Sequence, residues 1–166
     1  MGNVNRLRVG LFAPDFILKD SEGRKLSLSH FSGKKNLLLF FCKTLNDSAG
    51  LSRSEELNRF YDQIRLRDTE VLALSRDERW ISRRVKQERK IQFPILKIEG
   101  DPGNPSSTPP VSELYGIVVR ESEGTALYPA VFIVDKGGTV RFRKVYTQPT
   151  DRLHPDDLLC ELDKLG

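Results

Sequence analysis

The chain is poor in the residues that build metal centres and disulfide frameworks. Its 166 residues include two cysteines and two histidines. Cys42 and Cys160 are far apart in the chain and lack the close spacing of metal ligands. His30 and His154 are too few to form a cluster. We therefore expect no metal, no cofactor and no disulfide framework.

Long apolar segments are also absent. The longest wholly apolar run, residues 37–42, has the length of a strand, whereas a membrane-spanning helix needs roughly 20 residues. Arg6 and Arg8 near the start are not followed by the apolar stretch of a secretory signal. We therefore expect no membrane partner and a cytoplasmic location.

The charge balance is mildly basic, because 27 Lys and Arg residues face 23 Asp and Glu residues, a net charge of +4. The densest cationic run covers residues 76–90. Asp77, Glu78 and Glu88 interrupt this run, and Trp80 is its single aromatic residue. The pattern predicts the solvated face of a helix and no nucleic-acid partner.

Buried strands alternate with amphipathic helices along the chain. Three apolar runs, residues 37–42, 71–74 and 131–134, are predicted to be central strands because they are apolar on both faces. Helical spacing is predicted from near Leu51, after Asp77 as an N-cap, and over residues 155–165. The second of these helices is expected to bury a stripe of Trp80, Ile81 and Val85.

Turn residues complete the predicted architecture. Residues 20–23 predict an N-terminal β-hairpin, and residues 135–138 predict a second hairpin near the end of the chain. Residues 100–110 hold several prolines and are predicted to be a loop, as are the polar residues 120–124. Together these elements predict one domain over residues 1–166, a three-layer α/β sandwich with a mixed central sheet flanked by helices.

Five segments, taken in order, resemble the redoxins of the alkyl hydroperoxide reductase and thiol-specific antioxidant (AhpC/TSA) type, which have a thioredoxin-like fold. The longest is VGLFAPDFILKDSEGRKLSLSHFSGKKNLLLFF, which starts at Val9. The others are VLALSRD from Val71, FPIL from Phe93, SELYGIV from Ser112 and PAVFIVDKGGTVRF from Pro129. The resemblance implies thiol-dependent peroxidase or disulfide oxidoreductase activity.

The residues that carry this chemistry in the family are missing. The resemblance implies a Pro-x-x-x-Thr/Ser-x-x-Cys motif at the start of the first long helix, where the dipole and a remote Arg lower the pKa of the cysteine. This chain has Lys43, Asp47 and Gly50 at the three motif positions. Tyr128 and Pro129 occupy the place of the activating Arg.

The thioredoxin-like disulfide reductases provide a second template, with Trp-Cys-x-x-Cys in the same loop and a cis-proline facing it. Residues 46–50 of this chain are Asn-Asp-Ser-Ala-Gly, so both cysteines are absent. Pro129 matches the proline position. The resemblance therefore implies a cis bond between Tyr128 and Pro129, close to residues 47–50.

Two functions remain open. The first is a redoxin with a degenerate active site that works as a non-catalytic binding or redox-associated module. The alternative is a thiol-dependent peroxidase in which Cys42, beside Lys43 at the end of the first central strand, is an unconventional nucleophile and Cys160 resolves it. As a small hydrophobe, Cys42 would instead fill the core.

The polar loop over residues 43–50 is the expected place for a protein partner or a small polar ligand. Lys43, Thr44, Asp47 and Ser48 would supply its polar groups, and an ordinary hydrated turn is the other interpretation. Asp47 with Ser48 is a good N-cap for the helix that follows. A homodimer is compatible with the sequence.

Overall fold

A computed structural model describes residues 7–98, 111–121, 124–148 and 151–165. The strands are β1 (Ile17–Lys19), β2 (Lys25–Ser27), β3 (Asn36–Phe41), β4 (Thr69–Ser75), β5 (Ile95–Lys97), β6 (Val118–Glu121), β7 (Gly124–Leu127), β8 (Ala130–Val134) and β9 (Val140–Val145). The α-helices are α1 (Ser48–Arg59), α2 (Tyr61–Arg65), α3 (Arg79–Glu88), α4 (Val111–Leu114) and α5 (Pro155–Asp163). The predicted loop over residues 100–110 lies outside the described residues.

A mixed five-stranded sheet forms the middle of the molecule, with the strand order β5-β4-β3-β8-β9. β3 pairs in parallel with β4 and antiparallel with β8, while β5 and β9 form the edges. Every residue of β3 and β8 is buried. The three runs predicted to be central strands are therefore confirmed.

Side chains that alternate along β3 fill two separate cores. Leu39 and Phe41 join the core beneath the N-terminal segment and α4. Leu38 and Phe40 point to the opposite face and join the core that α1, α2, α3 and α5 cover. This arrangement confirms the predicted layered α/β architecture with flanking helices.

The hairpins follow the turn residues in part. β1 and β2 pair antiparallel as predicted, and β8 pairs antiparallel with β9. The prediction of a surface loop at residues 120–124 was wrong for Arg120, Glu121 and Gly124, because β6 and β7 form another antiparallel pair that includes them. Residues 122 and 123 lie outside the described residues. Backbone pairing between these two segments outweighs the polar composition that suggested a loop.

Trp80 does not belong to the buried stripe of α3, as the sequence analysis expected. Its side chain is 61% exposed, while Ser82 and Val85 are the buried residues of the helix. At about 100° per residue, Trp80 lies on the side of the helix opposite Ser82 and Val85. The apolar character of Trp80 alone therefore led to a wrong prediction that its side chain is buried.

An aromatic cluster around Tyr115 ties α4 to the sheet. The Tyr115 ring lies 5.1 Å from the ring of Phe41 and 5.2 Å from that of Phe132, between centroids. Its hydroxyl donates a 2.7 Å hydrogen bond to the carbonyl oxygen of Pro14. Tyr115 is fully buried, so this bond anchors the N-terminal segment from within the core.

Replacing Tyr115 separates the contribution of the ring from that of the hydroxyl. We expect Tyr115→Phe to lower the free energy of unfolding by about 1 kcal/mol, because the Pro14 carbonyl loses its donor. Tyr115→Ala should cost about 3–5 kcal/mol through the lost ring and the cavity it leaves. Urea denaturation measures both values, and equal losses for the two variants would contradict this division.

Candidate functional site

The candidate site lies at the edge of the sheet where β3 and β4 end. Cys42 directly follows β3, and its backbone N–H donates to the carbonyl oxygen of Leu74 at 2.9 Å. The carbonyl oxygen of Lys43 accepts from the N–H of Arg76 at 3.1 Å. The loop therefore leaves the sheet already paired with the end of β4, at the edge where α/β sheets place their ligands.

A buried carboxylate fixes the next part of the loop. Asp77 is 8% exposed, and its Oδ1 accepts a 2.6 Å hydrogen bond from the hydroxyl of Thr44. Its Oδ2 accepts from the backbone N–H of Leu45 at 2.8 Å. Thr44 Oγ1 in turn accepts from the N–H of Asn46. Asp77, which follows β4, therefore binds the loop that follows β3 and holds that loop in one conformation.

The prediction that Asp77 is the N-cap of its helix was wrong. The N-cap of α3 is Glu78, whose side chain makes no capping hydrogen bond. The Asp77 carboxylate is unavailable for capping because both of its oxygens bind the loop after β3. Nothing in the local sequence distinguishes these two uses of an aspartate, since the partners lie more than thirty residues earlier in the chain.

Asp47 caps α1, as its residue type predicts. Its Oδ1 accepts from the N–H of Gly50 at 2.7 Å, and its carbonyl oxygen accepts from the N–H of Leu51. The helix begins at Ser48, three residues before the predicted start near Leu51. The cap extends the helix backwards over a polar turn that hydrophobic periodicity does not detect.

Gly50 has no space for a side chain. A Cβ atom placed on its backbone would lie 2.2 Å from the carbonyl oxygen of Thr44 and 3.0 Å from Cα of Leu45. Both neighbours are backbone atoms of the loop that Asp77 holds, so they cannot rotate away as a side chain would. The loop backbone therefore occupies the space that a side chain of residue 50 would need, and the family resemblance predicts the cysteine at this residue.

Cys42 is enclosed in the core beneath this loop. The residue is 2% exposed and packs in the cluster that contains Leu45 and Leu57. Burial raises the pKa of its thiol well above the usual range, and the carboxylates of Asp77 and Asp47 raise it further. Among the described residues, Arg53 acts in the opposite direction and lowers the pKa of this thiol. At neutral pH the thiol is protonated, which opposes nucleophilic chemistry.

Pro129 lies at the same sheet edge, because the next residue, Ala130, pairs with Phe41. The prediction of a cis bond before it was wrong, since no peptide bond among the described residues is cis. Tyr128 N–H donates to the Ile117 carbonyl, and the Pro129 carbonyl accepts from Tyr146 N–H. The chain thus stays extended and hydrogen-bonded on both sides of the bond, and the trans form fits this path.

Arg53 is part of the site, although no sequence pattern indicated it. This arginine is 6% exposed, its Nη2 donates to the carbonyl oxygen of Asp151 at 2.9 Å, and its guanidinium lies 4.9 Å from the Tyr146 ring centroid. It lines an open groove of about 930 Å³ between α1 and residues 151–157. Its sequence context, between two serines on a helix, is typical of an exposed residue and gave no signal.

The other predicted site residues have simpler settings. Lys43 and Ser48 are exposed on the loop and at the start of α1, and Cys160 is exposed on α5. The structure therefore brings Lys43, Asp47, Gly50 and Pro129 to one sheet edge, with Cys42 buried beneath it. Among the described residues, no three His, Cys, Asp or Glu side chains are grouped as metal ligands.

The family follows from a comparison with known proteins. The model of the AhpC/TSA family matches residues 9–143. The chain belongs to the AhpC/TSA family. This membership confirms the resemblance and the thioredoxin-like fold that it implied. The matched residues include the loop over residues 43–50.

Individual relatives are distant. Peroxiredoxin Q from chloroplasts of Suaeda salsa is 27% identical over 164 residues, which cover 98% of this chain and 71% of that protein. The thiol-disulfide oxidoreductase ResA of Bacillus thuringiensis is 25% identical over 139 residues. This match covers 81% of this chain and 68% of ResA. The chain spans between 57% and 78% of the length of the plant peroxiredoxin Q proteins that it matches.

Solved structures show the shared fold. Peroxidoxin BcpB from Mycobacterium tuberculosis superposes on this chain with a TM-score of 0.81 at 16% sequence identity. The superposition covers 97% of this chain and 99% of the BcpB chain. In the part of this chain that the structure describes, no helix is long and apolar enough to span a membrane. The cytoplasmic location stays a prediction.

We expect the Asp77 carboxylate to determine the stability of the site loop. Asp77→Ala should lower the free energy of unfolding by about 2–3 kcal/mol, because the buried groups of Thr44 and Leu45 both lose an acceptor. The isosteric variant Asp77→Asn should fall between this value and the wild type. Urea denaturation gives the stabilities, and hydrogen exchange at the Leu45 amide reports local opening.

The neighbouring Glu78→Gln variant is the control for Asp77. Glu78 is exposed and its one ion pair, with Lys97, lies at the surface, so the change should stay within about 0.5 kcal/mol of the wild type. Equal losses at both positions would contradict a specific role of Asp77.

Alkylation tests the setting of the two cysteines. In the native protein we expect an alkylating reagent to modify Cys160 first and Cys42 only after unfolding, because Cys42 is buried and its thiol pKa is raised. Site-resolved mass spectrometry across a pH series measures both rates. Rapid native labelling of Cys42, with an apparent pKa below the roughly 8.5 of a free thiol, would contradict the core position.

Proposed function

We propose that this protein is a redoxin that has lost thiol peroxidase and disulfide reductase activity and functions by binding. The observation that carries the proposal is the closed position at Gly50. The family mechanism requires a sulfur at the start of this helix, where a thiolate can attack a peroxide oxygen. The Thr44 carbonyl occupies the space into which any side chain of residue 50 would extend.

Cys42 is a poor replacement for the missing thiol. A nucleophilic cysteine needs access to its substrate and surroundings that favour the thiolate. Cys42 has neither, because it is buried and the carboxylates of Asp77 and Asp47 disfavour a further negative charge. The names of peroxiredoxin relatives keep the peroxidase alternative open, and activity that depends on Cys42 would establish it.

The sheet edge at residues 43–50 remains suited to recognition. Lys43, Asn46, Asp47 and Ser48 are exposed there on a backbone that Asp77 holds rigidly. A preorganised polar loop loses little conformational entropy when it binds a protein partner or a small polar ligand. The homodimer considered from the sequence is one form that such binding could take.

Turnover of the purified protein tests the proposal directly. We expect the wild type and Cys42→Ser to reduce hydrogen peroxide, an alkyl hydroperoxide and insulin disulfides no faster than the background reaction with dithiothreitol or thioredoxin. A peroxiredoxin with an intact cysteine motif is the positive control. Turnover that Cys42→Ser abolishes would replace this proposal with the peroxidase.

Restoring a cysteine tests the closed position itself. Gly50→Cys should not restore turnover and should cost about 1–3 kcal/mol, and Gly50→Ala should cost a similar amount because both add the same Cβ. In an unobstructed helix, Gly→Ala would instead stabilise by about 0.5–1 kcal/mol, so the sign of the change is decisive. Urea denaturation measures it.

Ala49→Cys is the matched control for Gly50→Cys. Residue 49 already carries a Cβ and is only partly buried, so this variant should stay within about 1 kcal/mol of the wild type. If Gly50→Cys folds with wild-type stability and reduces peroxide, the loop retains room for a cysteine at residue 50, and the closed position does not explain the loss of activity.

A further inference from the structure

The exposed side of α3 carries a compact cluster of arginines around the chain's single tryptophan. Arg79, Trp80, Arg83 and Arg84 are all exposed, and together they are named the α3 patch. The guanidinium of Arg84 lies 5.5 Å from the Trp80 ring centroid, and the side chain of Trp80 is 61% exposed. An indole and three guanidinium groups are therefore presented to solvent on one helix surface.

The β1–β2 turn holds part of this patch in place. Nη2 of Arg83 donates to the carbonyl oxygen of Ser21 at 3.3 Å. The Arg79 guanidinium packs directly over Gly23, where an added Cβ would lie 2.8 Å from Nη2 of Arg79. Gly23 has φ +84°, so the turn needs glycine for its backbone as well as for this contact. Two of the four side chains of the patch, Arg79 and Arg83, are therefore held against the turn in the absence of a partner.

The helix that carries the patch has an excess of positive charge. Helix α3 contains four cationic side chains and one anionic side chain, an excess of three in a protein whose net charge is +4. Among the described residues, no carboxylate forms an ion pair with Arg79, Arg83 or Arg84. The nearby Glu78 pairs with Lys97, and Asp20 pairs with Arg24. The three guanidinium groups of the patch therefore have no carboxylate within ion-pair distance in the described chain.

We propose that the α3 patch docks an acidic partner protein, with Trp80 inserted between apolar side chains of the partner and the arginines paired with its carboxylates. This inference rests on the proposed binding function and adds the chemistry of the partner. Tryptophan and arginine are the residues most enriched among those that dominate protein–protein binding energies. A preordered patch lowers the entropy that association costs.

The position of the patch connects it with the degenerate site. α3 begins two residues after Asp77, whose carboxylate holds the loop after β3. Arg79 and Trp80 are therefore in the first turn of the helix, at the edge of the sheet where Lys43 and Asn46 are exposed. A partner on the α3 patch would lie beside the loop that carries thiol chemistry in the family.

A nucleic acid is the other polyanion that could bind arginines and an aromatic ring. Single-strand binding uses a cationic groove along the backbone and several aromatic rings on which successive bases stack. The α3 patch has one such ring, and two of its arginines, Arg79 and Arg83, contact the β1–β2 turn. This compact arrangement favours a protein partner.

Binding to a defined acidic peptide tests the proposal. The probe is a fluorescently labelled synthetic peptide of about 20 residues in which Glu and Asp alternate with Leu and Phe. We expect saturable binding by anisotropy, weakened by salt, and a shift of the Trp80 emission. Trp80→Ala and Arg84→Glu should each weaken binding roughly tenfold or more, as measured with the labelled peptide.

Two variants outside the patch are matched controls. Arg65 lies over the ring of Tyr61 at the same 5.5 Å distance, so Arg65→Glu makes the same charge change at an equivalent contact. Leu66 is 80% exposed, so Leu66→Ala removes an exposed apolar side chain elsewhere. Both should bind the peptide within about twofold of the wild type, and thermal unfolding confirms that every variant is folded.

Three outcomes would overturn the inference: no binding of the acidic peptide, an equal loss in the patch variants and the controls, or tighter binding of an oligothymidylate of similar length and charge. The last result would assign the patch to nucleic acid. Peroxide turnover is independent of all three results, so failure of the docking surface and failure of the proposed function are distinguishable.

Discussion

The arrangement at the sheet edge depends on the buried carboxylate of Asp77. A buried carboxylate is costly unless hydrogen bonds compensate for the lost water, and here Thr44 and Leu45 supply them. In satisfying Asp77, the loop brings the Thr44 carbonyl against the first turn of α1. The need to satisfy one buried charge thereby leads to the closed position at Gly50.

In the proposed function, the closed position at Gly50 is the local feature that separates the family's scaffold from its chemistry. The central sheet, the N-terminal hairpin and the helix after β3 are all present, and they are what the family match and the structural superposition detect. Peroxidase chemistry needs something more local, a thiolate and space for a peroxide at the start of α1. A fold can persist while its site changes, because function depends on side chains at the edge of the sheet rather than on its core.

Sequence patterns predicted the elements whose signals are local. The apolar run through Leu39 could only be a central strand, and Asp47 had the residue type and position of an N-cap. The errors arose where a distant partner decides the outcome. Asp77 binds a loop that lies more than thirty residues earlier in the chain. Trp80 faces solvent because Val85, on the opposite side of the same helix, faces the core. The bond before Pro129 is trans because strand pairing keeps the chain extended. Arg53 gave no signal, since its burial depends on residues 151–157.

The electrostatics of the site oppose those of a reactive cysteine. A helix N-terminus and nearby cations lower a thiol pKa, which is the setting that the family resemblance implies at this position. Here the Asp47 carboxylate caps the helix and binds the N–H of Gly50, and Asp77 places a second negative charge nearby. Both carboxylates raise the pKa of Cys42, and the buried Arg53 does not offset them. We therefore expect that a sulfur added at residue 50 alone does not restore the chemistry, because the carboxylate that caps α1 would remain beside it.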